Sequence, residues 1–118
     1  MGATSAVGAY GERVAESYLQ GLGMTVLARG WRCQIGEIDI VAVDGPCLVV
    51  CEVKTRRSTQ AGTPFEAVTP AKRARLRRLT AAWLAETGGG YSDVRIDVVA
   101  VTIPLRGRPL VEHLPGVV

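Results

Sequence analysis

The chain has 118 residues, 47% of them hydrophobic and only 5% aromatic, with a net charge of +3 and a pI of about 9.0. That length suits one domain over residues 1–118 with a buried core. No apolar run approaches the ~18 residues of a spanning helix, so no membrane association is expected, and the mild positive charge is compatible with a polyanionic partner. Cys33, Cys47 and Cys51 form no C-x-x-C, and His113 is the single histidine, which argues against structural zinc. The stretch Met1–Ala6 has neither the charged nor the apolar part of a secretory signal, and Ala6 stands where a myristoylation site needs Ser or Thr. A cytoplasmic protein is expected.

Residues 5–22 read as a first helix. Val7, Tyr10, Val14, Tyr18 and Leu22 recur at three- and four-residue spacing, Ala15 and Leu19 widen the stripe, and Gly21 and Gly23 mark the end. Glu12 lies off this stripe and could lean toward a site on a sheet, or face solvent. Residues 24–28 are a short apolar run that predicts the first strand, with residues 29–36 as a connection. Within that connection Trp31 and Arg32 have the chemistry to stack on a base and meet a phosphate, though Trp31 is equally suited to capping the core.

The chain is organised around residues 36–56. Two Val/Ile-rich strands, 37–43 and 47–54, flank the turn Asp44-Gly45-Pro46. Asp39, Glu52 and Lys54 sit inside them, although strand interiors are normally depleted of charge. A Gly45-Pro46 loop sets Asp39 opposite Glu52; an Asp44-Gly45 loop sets it opposite Val50, with Glu52 one diagonal step away. Either register puts Asp39, Glu52 and Lys54 on one face. Two carboxylates and an ammonium are the parts of a hard-metal site: the carboxylates suit Mg²⁺, and the lysine suits a phosphate in flight or an attacking water. The same three residues on a solvated sheet face could instead pair with one another. Cys47 and Cys51 would lie about 13 Å apart at about 3.3 Å per residue, too far for a disulfide, and facing away from Glu52.

Residues 56–63 are small and polar and read as a mobile loop. Residues 64–68 suggest a short helical turn. Thr69 then caps a second helix that opens on Pro70, runs to about Thr87 and stops at Gly88-Gly89-Gly90. Leu76, Leu79 and Trp83 form its apolar stripe. Lys72, Arg73, Arg75, Arg77 and Arg78 crowd its first half and are the best candidates for phosphate contacts. Residues 94–103 make the longest strand, ended by Pro104, and residues 110–114 suit a short edge strand. The predicted order is therefore α-β-β-β-α-β. It implies an α/β fold with a mixed sheet flanked by helices: three antiparallel strands, then a right-handed crossover to a parallel one.

The motifs in this order resemble those of the YraN-like family. Gly11-Glu12-Arg13-Val14-Ala15-Glu16-Ser17-Tyr18-Leu19 is similar to its G-E-x-x-A-x-x-Y-L opening, and Gly36-Glu37-Ile38-Asp39-Ile40-Val41-Ala42 to its G-E-I-D-L-I-A. Residues 50–56 resemble V-F-V-E-V-K-x-R. Glu66-Ala67-Val68 with Lys72 and Leu76 fits E-A-V…K…L, and residues 95–99 look like R-F-D-V-V. The resemblance covers nearly the whole chain. It implies the restriction-endonuclease-like, PD-(D/E)XK fold, close to archaeal Holliday junction resolvases. It makes Asp39 and Glu52 the metal-binding carboxylates, Lys54 the catalytic lysine, and Glu12 the acidic residue of the first helix. Gly30 departs from the pattern, standing where many members have Asn, and Ile38 replaces the proline of the superfamily motif.

The resulting expectation is Mg²⁺- or Mn²⁺-dependent hydrolysis of DNA, at a branched or structured junction. Asp39, Glu52 and the carbonyl of Val53 would hold the ion, Glu12 would complete or tune its shell, and Arg32, Arg56, Lys72, Arg73 and Arg75 would hold the nucleic-acid backbone. A two-cut task suggests a homodimer. The alternative is a protein of DNA repair, recombination or uptake that keeps the fold and binds nucleic acid without cutting.

Overall fold

A computed structural model of the chain describes residues 5–66 and 68–117. Residues 1–4 of the stretch read for a targeting signal, and Ala67 of the expected helical turn, lie outside them. Seven elements occur in order: α1 (Ala6–Gly21), β1 (Thr25–Arg32), β2 (Glu37–Asp44), β3 (Cys47–Arg57), α2 (Pro70–Thr87), β4 (Asp93–Ile103) and β5 (Leu110–Leu114). The strands form one sheet in the order β1-β2-β3-β4-β5. All neighbours are antiparallel except β3 and β4, which run parallel across the α2 crossover. This is the mixed α/β, restriction-endonuclease-like arrangement that the element order implies. Among the described residues no helix is long and apolar enough to cross a membrane.

The two helices start where their caps dictate. Ser5 Oγ accepts from the Gly8 N–H at 3.0 Å, and Thr69 Oγ1 accepts from the Lys72 N–H at 3.1 Å, each satisfying a donor that the first helical turn leaves free. The helices cover opposite faces of the sheet. On one face, Ala15 and Leu19 of α1 pack over Ile40, Ala42, Val49, Cys51, Val99 and Val101. On the other, Leu76, Leu79 and Trp83 of α2 pack over Ile38, Val41, Leu48, Val50 and Ile96. β3 alternates cleanly between the two clusters, as a strand buried on both faces must.

Two regions differ from the sequence expectation. β1 extends to Arg32 and takes in the first half of the expected connection, because residues 29–32 find a partner ladder on β2 through Arg29↔Ile40, Trp31↔Ile38 and Arg32↔Glu37. Trp31 accordingly caps the core: its ring meets Trp83 edge-on at 5.7 Å and its Nε1 donates to Glu86 at 3.1 Å. Residues 64–66 form a turn, closed by the Val68 N–H on the Phe65 carbonyl at 3.0 Å, and not a helix.

α1 approaches β3 through a missing side chain. A Cβ on Gly11 would lie 1.9 Å from Thr55 Oγ1 and 2.8 Å from Thr55 Cβ, so the helix can sit this close only with glycine there. Further along the sheet, on β4, Asp97 is fully buried. Its carboxylate accepts from Arg95 Nε at 3.1 Å and the Gly116 N–H at 3.0 Å, and pairs with His113 Nε2 at 2.8 Å; His113 Nδ1 in turn meets the Tyr18 hydroxyl at 3.1 Å. One carboxylate thus ties β4, β5, the chain's end and α1 together. Cys33, Cys47 and Cys51 are all free thiols, and burial pushes those of Cys47 and Cys51 above the ordinary range.

Two substitutions probe this packing. Gly11→Ala, in spite of the better helix propensity of alanine, lowers stability by about 1–3 kcal/mol in urea denaturation, because Thr55 Cβ cannot rotate away. Asp97→Ala costs about 3–5 kcal/mol in the same measurement, since it leaves Arg95 and His113 without their buried partner.

Candidate metal and phosphate site

β2 and β3 pair in a single register, Asp44↔Cys47 through Ile40↔Cys51. Gly45-Pro46 is therefore the loop, and continuation of the register would set Asp39 against Glu52. The ladder stops one residue short of that pair. Instead of a backbone carbonyl, Asp39 Oδ2 takes the Val53 N–H, at 2.8 Å. The side chain replaces the missing ladder bond and lies in the gap where the two strands part.

The reason lies in a break of alternation. Ile38 and Ile40 have the same parity, which on a regular strand would place them on one face. Here Ile40 packs under α1 and Ile38 under α2. β1 breaks at the same level. Arg29 reaches Glu16 on α1 and Trp31 reaches Trp83 on α2, with Gly30 at φ 58° between them. Only glycine takes that left-handed conformation freely, and asparagine is among the residues that tolerate it best. The Gly-for-Asn departure at position 30 is thus an exchange within one backbone requirement. The shared face expected for Asp39, Glu52 and Lys54 is modified accordingly, with Asp39 turned into the plane of the sheet.

From that position Asp39 borders two cavities of about 140 Å³ each. One is lined by Glu37, Glu52, Lys72 and Arg75, the other by Glu12, Arg13, Glu16 and Arg29. Burial, then the Glu52 carboxylate, then Glu12 and Glu37 raise the Asp39 pKa to about 7 against the pull of the Val53 N–H. Burial and the charges of Glu37 and Glu52 raise Glu12 as well. Glu16 is spoken for by Arg29, whose hydrogen bonds hold it below the usual carboxylate range. Among the described residues no group of three or more His, Cys, Asp and Glu side chains is gathered closely enough to share one ion. Asp39 shares one cavity with Glu52 and Glu37, and the other with Glu12 and Glu16.

The remaining predicted residues separate. Lys72 Nζ lies 2.6 Å from Glu52 Oε2, and the Glu52 side chain is only 14% exposed. Arg75 lines the same cavity and rests against Gly36. Arg32 pairs with Glu37 at 3.6 Å. Lys54 lines a neighbouring cavity of about 200 Å³ with Arg56, Gln60, Thr63 and Glu66. Arg56 donates from its guanidinium to the carbonyls of Gln60 and Gly62, each at 2.7 Å, tying the end of β3 to the loop that follows. Arg73 lines a separate cavity with Phe65, Val68 and Leu114. Sequence reasoning missed Glu37 as a member of the acidic group and Lys72 as the partner of Glu52. A lysine in the first turn of a helix, where the dipole favours acids, was the available signal for the second.

Over residues 11–101 the sequence matches the Uncharacterised protein family UPF0102. A UPF0102 protein of Kineococcus radiotolerans is 65% identical over 116 residues, covering 98% of this chain and 95% of the relative. One of Streptomyces coelicolor is 56% identical over 119 residues, 99% and 92% of the two chains. One of Nocardioides sp. is 54% identical over 112 residues, 95% and 90%. With the fold, the motifs and these full-length relatives in agreement, the chain belongs to the UPF0102 family, the YraN-like family its motifs resemble.

Proposed function

We propose that the chain is a metal-dependent endonuclease that hydrolyses DNA phosphodiester bonds, at branched or structured DNA. The observation that carries this reading is Asp39: a carboxylate pinned by a main-chain N–H, beside Glu52, and raised to a pKa of about 7 by burial and by its acidic neighbours. Such crowding of like charges disfavours the ionised pair unless a cation offsets it. Two carboxylates fit Mg²⁺ or Mn²⁺, which keep several waters and accept phosphate oxygens as further ligands. Val53 adds its carbonyl to the set. An extended residue directs its N–H and C=O the same way, and the Val53 N–H already faces Asp39.

When bound, such an ion supplies a water of lowered pKa and neutralises charge on the phosphate. This chain's residues do the rest. Asp39 and Glu52 hold the site from adjacent strands. Glu12 tunes Asp39 through its field. Lys54 meets the phosphate backbone from the adjoining cavity, where Arg56 holds the wall. Arg75 offers the phosphate a guanidinium at the cavity itself, and Arg32 and Arg73 add basic surface outside it. A junction requires two cuts, so the working form is a homodimer, and the reading places the protein in the cytoplasm with the DNA. The second reading is a DNA-binding protein of repair, recombination or uptake that does not cut. The Lys72–Glu52 contact favours it, because one of the two carboxylates already has a counter-charge.

Incubation with branched and linear DNA, with Mg²⁺ or Mn²⁺ and without, separates the two. The endonuclease reading expects cutting that needs the ion and falls at least about a hundredfold in Asp39→Ala. Binding that survives this substitution, with no product in any lane, establishes the second reading.

Asp39 also sets a pH dependence. Its folded pKa lies above the unfolded value, so the native state holds the proton more tightly and stability declines as pH rises from about 4 to about 7, then levels. Asp39→Asn keeps an acceptor for the Val53 N–H and removes the charge. In thermal melts without metal at pH 8, this variant is expected to be more stable than the native chain by about 2–4 kcal/mol, with the difference shrinking toward pH 5. Equal stability at pH 8 would contradict the assignment.

A further inference from the structure

Lys72 reaches the carboxylate cavity from outside the hairpin. It sits in the first turn of α2, its N–H held by the Thr69 cap, and its ammonium lies 2.6 Å from Glu52 Oε2. Its side chain is 36% exposed against 14% for Glu52, so the lysine is the more solvent-accessible partner of the pair. Asp39, Glu37 and Arg75 line the same cavity, whereas Lys54 lines the next one. The first turn of α2 carries no acidic residue that would compete for this ammonium. A cation in that turn opposes the helix dipole, so its placement favours a task at the cavity over a role in helix stability.

We propose that Lys72 is the resident counter-ion of Glu52, a positioning residue that holds the carboxylate in the metal-free chain and yields it to a divalent cation. Resting on the metal-site reading above, this deepens it: the lysine that governs metal occupancy comes from α2, not from β3. A divalent ion at Glu52 and the ammonium at Glu52 compete for the same oxygen atoms. Once displaced, Lys72 is left at the mouth of the cavity with Arg75, and both can take the phosphate oxygens that the ion draws in. Metal binding and DNA binding are then coupled through a single side chain.

The test measures Mn²⁺ binding to the full chain without DNA, by calorimetry and by electron paramagnetic resonance. The variants are Lys72→Met, Lys72→Arg, Lys54→Met and Asp39→Asn, with thermal melts to confirm folding. Removing the competitor in Lys72→Met is expected to tighten Mn²⁺ binding by about three- to tenfold. Lys72→Arg keeps a cation on Glu52 and restores the native value, and Lys54→Met leaves it unchanged. DNA affinity measured in Mn²⁺ falls in Lys72→Met, and its salt dependence flattens by about one unit of slope. If the native chain binds Mn²⁺, loses it in Asp39→Asn, and Lys72→Met binds no more tightly than the native chain, this inference is overturned while the metal site stands. If neither the native chain nor Lys72→Met binds Mn²⁺, the metal site itself is refuted, and the role of Lys72 with it.

Discussion

The hydrogen bond from the Val53 N–H to Asp39 is the contact on which the arrangement of the acidic residues depends. It stands where a ladder bond between β2 and β3 would otherwise be, so it closes the sheet and opens a gap in it at once. A carboxylate that substitutes for a backbone carbonyl satisfies a donor that could not be left bare inside the fold. It also brings a second oxygen, and a negative charge, to a place where the strand would have offered neither. The elevated pKa of Asp39 is the electrostatic consequence, since burial and three neighbouring acids act on the same group.

Much of this was legible in residues 36–56. Val and Ile set the two strands, the Asp-Gly-Pro turn offered two registers, and both brought Asp39 toward Glu52. The turn residues could not choose between those registers; the observed pairing from Asp44↔Cys47 does. The alternation argument failed at one level, around Gly30 and Asp39, where the facing of both β1 and β2 reverses, in β1 at a left-handed glycine. A glycine in a strand-like run hints at such a break, but only its φ establishes it. β1 was read too short because residues 29–36 together look like a connection, and the ladder to β2 overrides that for residues 29–32.

The basic residues show the opposite limit. Five cations in seven residues of α2 were visible as a cluster, yet their individual roles depend on rotation about the helix axis. Lys72 and Arg75, three apart, reach one cavity, whereas Arg73 reaches another. Gly11 is a similar case. Its place within the first helix gave no reason for a glycine, and only the approach of Thr55 shows why no side chain fits. The buried Asp97 network was equally hidden, because its partners Tyr18, Arg95, His113 and Gly116 are distributed over most of the chain.

The register of the hairpin bears on the order in which the acidic cavity is assembled. Asp39 and Glu52 belong to strands joined by two residues, so the chain brings them together at a small entropic cost and early in any folding sequence that begins locally. Lys72 arrives only when α2 docks. The two acids therefore confront each other before their counter-charge is present, and the nascent hairpin carries an electrostatic penalty that mild acidity or a dissolved divalent salt would relieve.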